Sequence, residues 1–423
     1  MKCYRVEGGR ALKGSIEVSG SKNAVLPCLA AALLTSETVV LKNVPMIRDV
    51  DVMVEILKVL GAEVSINKEE HKITVKVDEV HTFEIPEALS RLLRASTLFM
   101  GPMLARAGRV RLCGYGGCPI GKRPIDLHLK AFKSLGAVVE ESTECIEIKA
   151  ERLKGSKIEL SFPSVGATEN ALMAAALADG ETEILNIAIE PEVLDLASML
   201  RKMGARIEID ARKRVARVWG VETLSGVEHG VIPDRIEAGT YMVAALVTDG
   251  ELELRDVEPM HLENVIGVLR EMGAEVEVVS GKRIRVVSEP TYLKPANIVT
   301  EPYPGFPTDL QPQFTVLLAV KSSGTSTIRE TIYEERFHHV NELRKMGAEV
   351  FVEGRVITVH GPRRLAGSVV EARDLRGGAA LLLAGLAAEG ATIVRNAEHV
   401  ERGYENMVGK LNKVGARIEI TEE

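Results

Sequence analysis

A cysteine able to act as an acid or a nucleophile sits in Gly116-Gly117-Cys118-Pro119-Ile120-Gly121-Lys122-Arg123-Pro124. The glycines free the backbone, so the run reads as a mobile loop and not a buried strand. Lys122 and Arg123 would lower the thiol pKa if they fold back on it, and would attract an anionic ligand in any case. The same residues also fit an ordinary glycine-rich turn carrying a free surface cysteine.

Further candidates lie where apolar helices are expected to begin. Ser19-Gly20-Ser21-Lys22-Asn23-Ala24 opens one, Arg91 to Ser96 with Arg94 a second, Asp234-Arg235 a fourth, and Asp374-Leu375-Arg376-Gly377-Gly378 a sixth. A cation at a helix N-terminus is mildly unfavourable, by a few tenths of a kcal/mol. Its recurrence points to an anion-binding basin shared by Lys22, Arg94 and Arg376, although each alone also fits a snorkelling surface side chain. The third helix start, Pro163-Ser164-Val165-Gly166-Ala167-Thr168, has no cation. It suits bare backbone N–H groups on a phosphate, or a plain serine cap. The fifth carries Asp309 in Phe306-Pro307-Thr308-Asp309-Leu310-Gln311, which is either a capping acid or a proton acceptor. Arg336 and Arg402 open amphipathic helices and suit carboxylate or phosphate. The nine histidines show no metal-ligand spacing, and there is no dinucleotide or Walker loop. Metal and nucleotide-cofactor enzymes are therefore disfavoured.

These residues are carried by a repeat. Leu-x-x-x-Gly-Ala-x-(Val/Ile) recurs six times, with glycines at 61, 136, 204, 273, 347 and 415. The phrase predicts a helix stopped by a glycine cap and followed by a strand. Between its copies run Ala- and Leu-rich helices, apolar nearly all round and so expected in a core. Six βαβαββ-type units suggest an α/β protein of two domains, three units each, with sheets surrounding buried apolar helices.

Bulk properties set limits. With 423 residues, two or three domains are expected. Aromatic content is 4%, with Trp219 the single tryptophan, so the core must be aliphatic. A net charge of −7 gives no global attraction to nucleic acid or an anionic membrane. Five cysteines without a CxxC pair suggest neither a disulfide scaffold nor a zinc ribbon, and reduced thiols fit a cytoplasmic protein. The N-terminus lacks the apolar core of a signal peptide, and the apolar run 24–34 is too short to span a bilayer.

Six segments together resemble the enolpyruvyl transferases, and among them the branch acting on UDP-N-acetylglucosamine. They are Gly20-Ser21-Lys22-Asn23-Ala24, the loop from Gly117-Cys118 to Arg123-Pro124-Ile125-Asp126-Leu127-His128, Ser164 to Thr168, Phe306 to Asp309, Asp374-Leu375-Arg376, and Glu401-Arg402-Gly403-Tyr404. The resemblance covers the whole chain. It implies a two-domain inside-out α/β barrel with the active site in the cleft, residues 22–231 forming one domain and 1–21 plus 232–423 the other. It implies transfer of enolpyruvyl from phosphoenolpyruvate to the sugar 3'-hydroxyl with release of phosphate, the first committed step of peptidoglycan synthesis. The path would be addition-elimination through a tetrahedral ketal.

By the same resemblance Cys118 is the general acid, can also form a covalent adduct with phosphoenolpyruvate, and matches the cysteine that fosfomycin alkylates in the family; its loop is expected to act as a lid, ordered as Lys122 and Arg123 meet the ligands. Asp309 would take the hydroxyl proton or assist elimination. Lys22, Arg123 and Arg402 would hold phosphate, and Arg94, Arg336 and Arg376 would serve carboxylate and cleft charge. Asn23 would position the sugar, Arg123 to Leu127 would pack on uridine, and Ser164, Val165 and Gly166 would donate to the diphosphate. Ile332 would line the nucleotide site, with Asp374 also counted among the substrate-binding residues. No cofactor, metal or obligate protein partner is implied. The alternatives are the 3-phosphoshikimate branch, which lacks the cysteine lid, and a non-catalytic nucleotide-sugar binder of the same fold. Pro119 and Phe162 depart from the family pattern.

Overall fold

The computed structural model describes all residues except Cys118, Ser280, Glu289, Pro290 and Glu423. Each repeated phrase closes an amphipathic helix in the same way. The helices are Arg48–Val59, Asp126–Ser134, Pro191–Lys202, Glu263–Glu271, His338–Lys345 and Met407–Lys413. All six phrase glycines have φ between 91° and 108°, a left-handed conformation that favours glycine. The alanine N–H after each glycine donates to the carbonyl five residues back at 2.9–3.1 Å, and the glycine N–H to the one three back at 2.9–3.1 Å. This bond pair is a Schellman cap, built six times. The first residue of each phrase, Leu57, Phe132, Leu200, Leu269, Leu343 or Leu411, is fully buried.

The strands form six four-stranded sheets of one pattern. In the sheet of Asn297–Val299, Gly324–Arg329, Val356–Gly361 and Glu349–Glu353, the first pair is parallel and the next two are antiparallel. The chain divides into two units. The first comprises Gly20–Gly117 and Arg123–Ile232, and the second Met1–Ser19, Cys118–Lys122 and Pro233–Glu423. Each unit holds three sheets and three internal helices. Those helices are Lys22–Ala31, Met100–Ala107 and Val165–Ala175 in the first unit. In the second they are Arg235–Val247, Gln311–Lys321 and Leu375–Ala387. All thirteen residues of Arg235–Val247 are buried, as its all-round apolar sequence requires.

Two expectations need correction. The second internal helix does not begin as α-helix at Arg94: Arg94–Phe99 is a 3-10 segment, and the α-helix starts at Met100. Ser96 and Thr97 hydroxyls donate to Leu93 and Arg94 carbonyls at 2.8 and 2.9 Å, and Pro102 has no N–H to give the turn before it. The thiols are also not all reduced. Cys113 and Cys145 face each other across antiparallel strands Arg109–Cys113 and Cys145–Lys149 and form a disulfide. Their pairing follows from strand register, which cysteine spacing does not reveal. Cys3 and Cys28 are free and buried. Among the described residues, no helix is long and apolar enough to cross a membrane.

Candidate active site

In the first unit the candidates sit on an internal helix start, a loop and a second helix start. Lys22 begins Lys22–Ala31, next to Asn23, and pairs with Asp49 at 2.7 Å. Asp49 lies in the first turn of Arg48–Val59, so one buried carboxylate serves that helix dipole and the Lys22 ammonium together. Arg94 donates to the carbonyls of Arg123 and Pro124, the latter at 3.3 Å, and its guanidinium lies 4.8 Å from the Tyr115 ring centroid. A side chain at Gly117 (φ 144°) would meet Arg94 at 3.0 Å and Arg123 at 3.1 Å. These contacts hold the strand exit against 123–124. Ile125 caps Asp126–Ser134, where Asp126 and Leu127 form the first turn. A hollow of about 630 Å³ is bordered by Tyr115, Pro124, Ile125 and Asp126. A larger one of about 750 Å³, at Arg106 and Arg152, touches none of the candidates.

Ser164 caps Val165–Ala175, its hydroxyl accepting from the Ala167 N–H at 3.4 Å. That contact fits the plain capping reading, and it leaves the first-turn N–H groups of Val165 and Gly166 uncommitted by the cap itself. Gly166 lies against His128, with only 3.0 Å between an added Cβ and the ring. The His128 Nδ1 accepts from Asn170 Nδ2 at 2.9 Å. Burial, followed by repulsion from Arg94, pushes the His128 pKa down to about 3. A neutral imidazole thus joins the 123–127 loop to the Val165 helix start. Phe162, half exposed, flanks this start.

In the second unit a clamp forms around Asp309, in the 3-10 turn Thr308–Leu310. Arg336 Nη1 lies 2.8 Å from Asp309 Oδ1, and Arg376 Nε and Nη2 reach Oδ2 at 3.2 and 2.9 Å. Burial alone would raise the Asp309 pKa, but Arg376 and Arg336 outweigh it and hold the carboxyl well below its ordinary range. Asp374 caps Leu375–Ala387, accepting from the Arg376 and Gly377 N–H groups at 3.0 and 2.9 Å. That cap fixes the backbone from which Arg376 extends. The Arg376 guanidinium also stands 5.2 Å from the Tyr404 ring centroid, and Arg402 ends the 3-10 turn Ala397–Arg402. The cations at helix starts are therefore offset locally: Lys22 by Asp49, and Arg376 by Asp309.

Sequence reasoning missed the residues that hold this clamp. Glu330, fully buried, accepts from Thr300 Oγ1, Ile332 N and Tyr333 N at 2.8, 2.8 and 3.1 Å. Its other oxygen accepts from Thr308 Oγ1 at 2.9 Å. One carboxylate thus sets the Thr308 turn and the Ile332 segment together. The Tyr404 hydroxyl is likewise bound by Thr240 and Gln313, each at 2.9 Å. Thr240 and Gln313 were signalled in sequence as polar residues inside apolar helices, whereas Glu330, just past the strand Gly324–Arg329, carried no such signal. Within the second unit, residues 119–122 pack on 334–338. His338 Nε2 lies 2.7 Å from the Pro119 carbonyl, and the Lys122 N–H donates to Glu334 at 2.9 Å. Cys118 lies outside the described residues.

Comparison with known proteins adds to this geometry. A family model described as EPSP synthase (3-phosphoshikimate 1-carboxyvinyltransferase) matches residues 6–411. UDP-N-acetylglucosamine 1-carboxyvinyltransferase 2 of Carboxydothermus hydrogenoformans is 49% identical over 99% of this chain and 99% of its own. UDP-N-acetylglucosamine 1-carboxyvinyltransferase 1 of Caldanaerobacter subterraneus subsp. tengcongensis is 48% identical over 98% of each chain. Among solved structures, the enolpyruvyl transferase NikO from Streptomyces tendae superposes with a TM-score of 0.91 at 28% identity, over 99% of both chains. An EPSP synthase from Acinetobacter baumannii shares the fold, with a TM-score of 0.77 at 19% identity over 100% of both.

Proposed function

The chain belongs to the enolpyruvyl transferase family, and we propose that it transfers enolpyruvyl from phosphoenolpyruvate to the 3'-hydroxyl of UDP-N-acetylglucosamine, releasing phosphate. The observation that carries this reading is 45–49% identity, along nearly the whole chain, to relatives bearing the UDP-N-acetylglucosamine 1-carboxyvinyltransferase name. The residues 22–231, and 1–21 with 232–423, act as its two enolpyruvyl-transferase domains. The reaction belongs to the cytoplasm, where it opens peptidoglycan synthesis.

The residue types meet the demands of the chemistry. Phosphoenolpyruvate and a nucleotide sugar are both polyanions, so fixed cations must offset their mutual repulsion. Lys22, Arg123 and Arg402 hold the phosphate. Arg94, Arg336 and Arg376 meet the carboxylate and the remaining charge, and Asn23 orients the sugar. The hollow beside Pro124, Ile125 and Asp126 supports a uridine there, with Arg123 and Leu127 their neighbours in the chain. The Ser164, Val165 and Gly166 backbone takes the diphosphate at a helix start. Ile332 and Asp374 complete the binding set.

Addition joins the sugar oxygen to C2 of phosphoenolpyruvate as Cys118 gives a proton to C3. Elimination expels phosphate and returns a C3 proton from the tetrahedral ketal to the Cys118 thiolate, restoring the double bond and the thiol. Asp309 is the proton acceptor for the hydroxyl. Clamped by two guanidiniums it is a weak base. A substrate anion that draws Arg336 and Arg376 toward itself loosens the clamp and makes Asp309 more basic once ligand has arrived.

The test is phosphate release on mixing phosphoenolpyruvate with UDP-N-acetylglucosamine, with Cys118→Ser lowering the rate about 100-fold or more. Release with 3-phosphoshikimate alone would move the assignment to that branch. Nucleotide-sugar binding without any release would make the chain a non-catalytic binder.

A further inference from the structure

Three chain-distant side chains meet inside the first unit. Cys28 lies on Lys22–Ala31, Asp195 on Pro191–Lys202 and His229 on the strand Val227–Gly230. The Cys28 sulfur, an Asp195 oxygen and a His229 nitrogen all lie within 4.8 Å of one another. The three are 0%, 6% and 2% exposed. None is assigned a part in the transfer reaction.

Protein groups do not satisfy the cluster. His229 Nε2 lies 3.0 Å from Asp195 Oδ1, and Nδ1 lies 3.3 Å from Lys202 Nζ. Asp195 Oδ2 is buried without a hydrogen-bond partner among the described residues, and so is Glu169 Oε1. A buried carboxylate oxygen left without a partner destabilises the fold.

We propose that Cys28, Asp195 and His229 supply three protein ligands to a first-row transition-metal dication, with Zn²⁺ the best match and a fourth position left open. One sulfur, one imidazole nitrogen and one carboxylate oxygen suit Zn²⁺ and not Mg²⁺ or Ca²⁺, which take oxygen ligands. A thiolate, a carboxylate and a neutral imidazole carry two negative charges, which the dication cancels. Binding forms a metal–sulfur bond and releases the thiol proton to solvent. It gives the unpartnered Asp195 oxygen a cation. Ligands of a tetrahedral zinc stand about 3.5 Å apart; His229 Nε2 and Asp195 Oδ1 are already within that reach, so the closing movement falls on the Cys28 sulfur. When Nε2 takes the metal, Nδ1 keeps the ring proton, and Lys202, whose side chain reaches solvent, swings away. The consequence is mechanical. Cys28 lies six residues beyond Lys22 on the same helix. The metal would pin that helix to a neighbouring helix and a strand. The ligands at 28, 195 and 229 have no spacing that a sequence search would notice.

The test uses the full chain, stripped with chelator and then equilibrated with Zn²⁺ or Co²⁺. The expected results are about one metal per chain by mass spectrometry, a thiolate-to-cobalt charge-transfer band in the near ultraviolet, and a higher melting temperature with Zn²⁺ than without. Cys28→Ser and His229→Gln should lose all three, while Cys118→Ser keeps them. A wild-type protein that retains no metal and gives no cobalt band overturns the site. So does retention by folded Cys28→Ser equal to wild type. Should the Cys28 and His229 variants fail to fold, the cobalt band of the double variant Cys3→Ser, Cys118→Ser decides: Cys28 is then the one cysteine outside the Cys113–Cys145 disulfide, so its presence assigns the thiolate to Cys28, and its absence rejects the proposal.

Discussion

At the scale of single residues, Asp309 and His128 show opposite ways of fixing a charge state. Asp309 stays ionised because two guanidiniums outweigh its burial. Removing one should raise its pKa. If Asp309 is the base, Arg336→Gln therefore moves the acid limb of the kcat/KM profile to higher pH, in addition to lowering the plateau. A limb that stays in place while the plateau falls would mean another group accepts the proton. His128 stays neutral because burial, helped by Arg94, depresses its pKa to about 3. An unfolded histidine titrates near about 6.5. Between these values the unfolded chain binds a proton that the folded chain refuses, so this group costs stability as pH falls through that window. His128→Gln can still accept from Asn170. It should remove that loss, so its stability relative to wild type rises from pH 7 to pH 4 in denaturant titrations. A constant difference across the range would show that His128 takes up its proton as readily in the fold as in the unfolded chain.

At the scale of elements, the Schellman caps turn six helices into their following strands with nearly the same bonds. Leu343 sits at the phrase start in one of them, fully buried. Leu343→Ala should cost about 3 kcal/mol by chemical denaturation. A cost under about 1 kcal/mol would mean the position is not packed as described. These elements were legible in the sequence because both their signals are local: the glycine that accepts a left-handed φ, and the apolar residue four positions earlier. The apolar helices were legible for the same reason, since burial on every side needs an apolar residue at nearly every position. The candidate arginines could be found because cations at helix starts break a local preference. Other features needed tertiary contacts. Glu330 looks like any strand-end acid until Thr300, Thr308 and Ile332 are seen around it. The Cys113–Cys145 pair depends on register between strands separated by 32 residues. The 3-10 start at Arg94 depends on side chains bonding back to the backbone.

At the scale of the chain, both units are closed by borrowed strands. In the first unit, Val227–Gly230, from its end, pairs in parallel with Val39–Lys42, from its beginning. In the second unit the borrowing spans the whole sequence. Lys13–Glu17 pairs with Glu251–Arg255, and Lys2–Glu7 lies between Ala391–Arg395 and Arg417–Glu422. Residues 233–423 alone would lack a central strand in one sheet and an edge strand in another. They would also lose Tyr4, Val6, Leu12 and Ile16, all at most 2% exposed. At about 1.5–3 kcal/mol each, that burial rivals the 5–15 kcal/mol that holds a typical domain. Lys2 is the register partner of Glu422 on an antiparallel neighbour, so a hairpin of a few residues can join the two ends. A fragment running 233–423, then a short Gly-rich turn, then 1–19 should unfold cooperatively, while 233–423 without the added strands should not. Circular dichroism melts of the two fragments make the comparison. Equal cooperativity in both would mean that the N-terminal strands decorate the second unit and do not complete it.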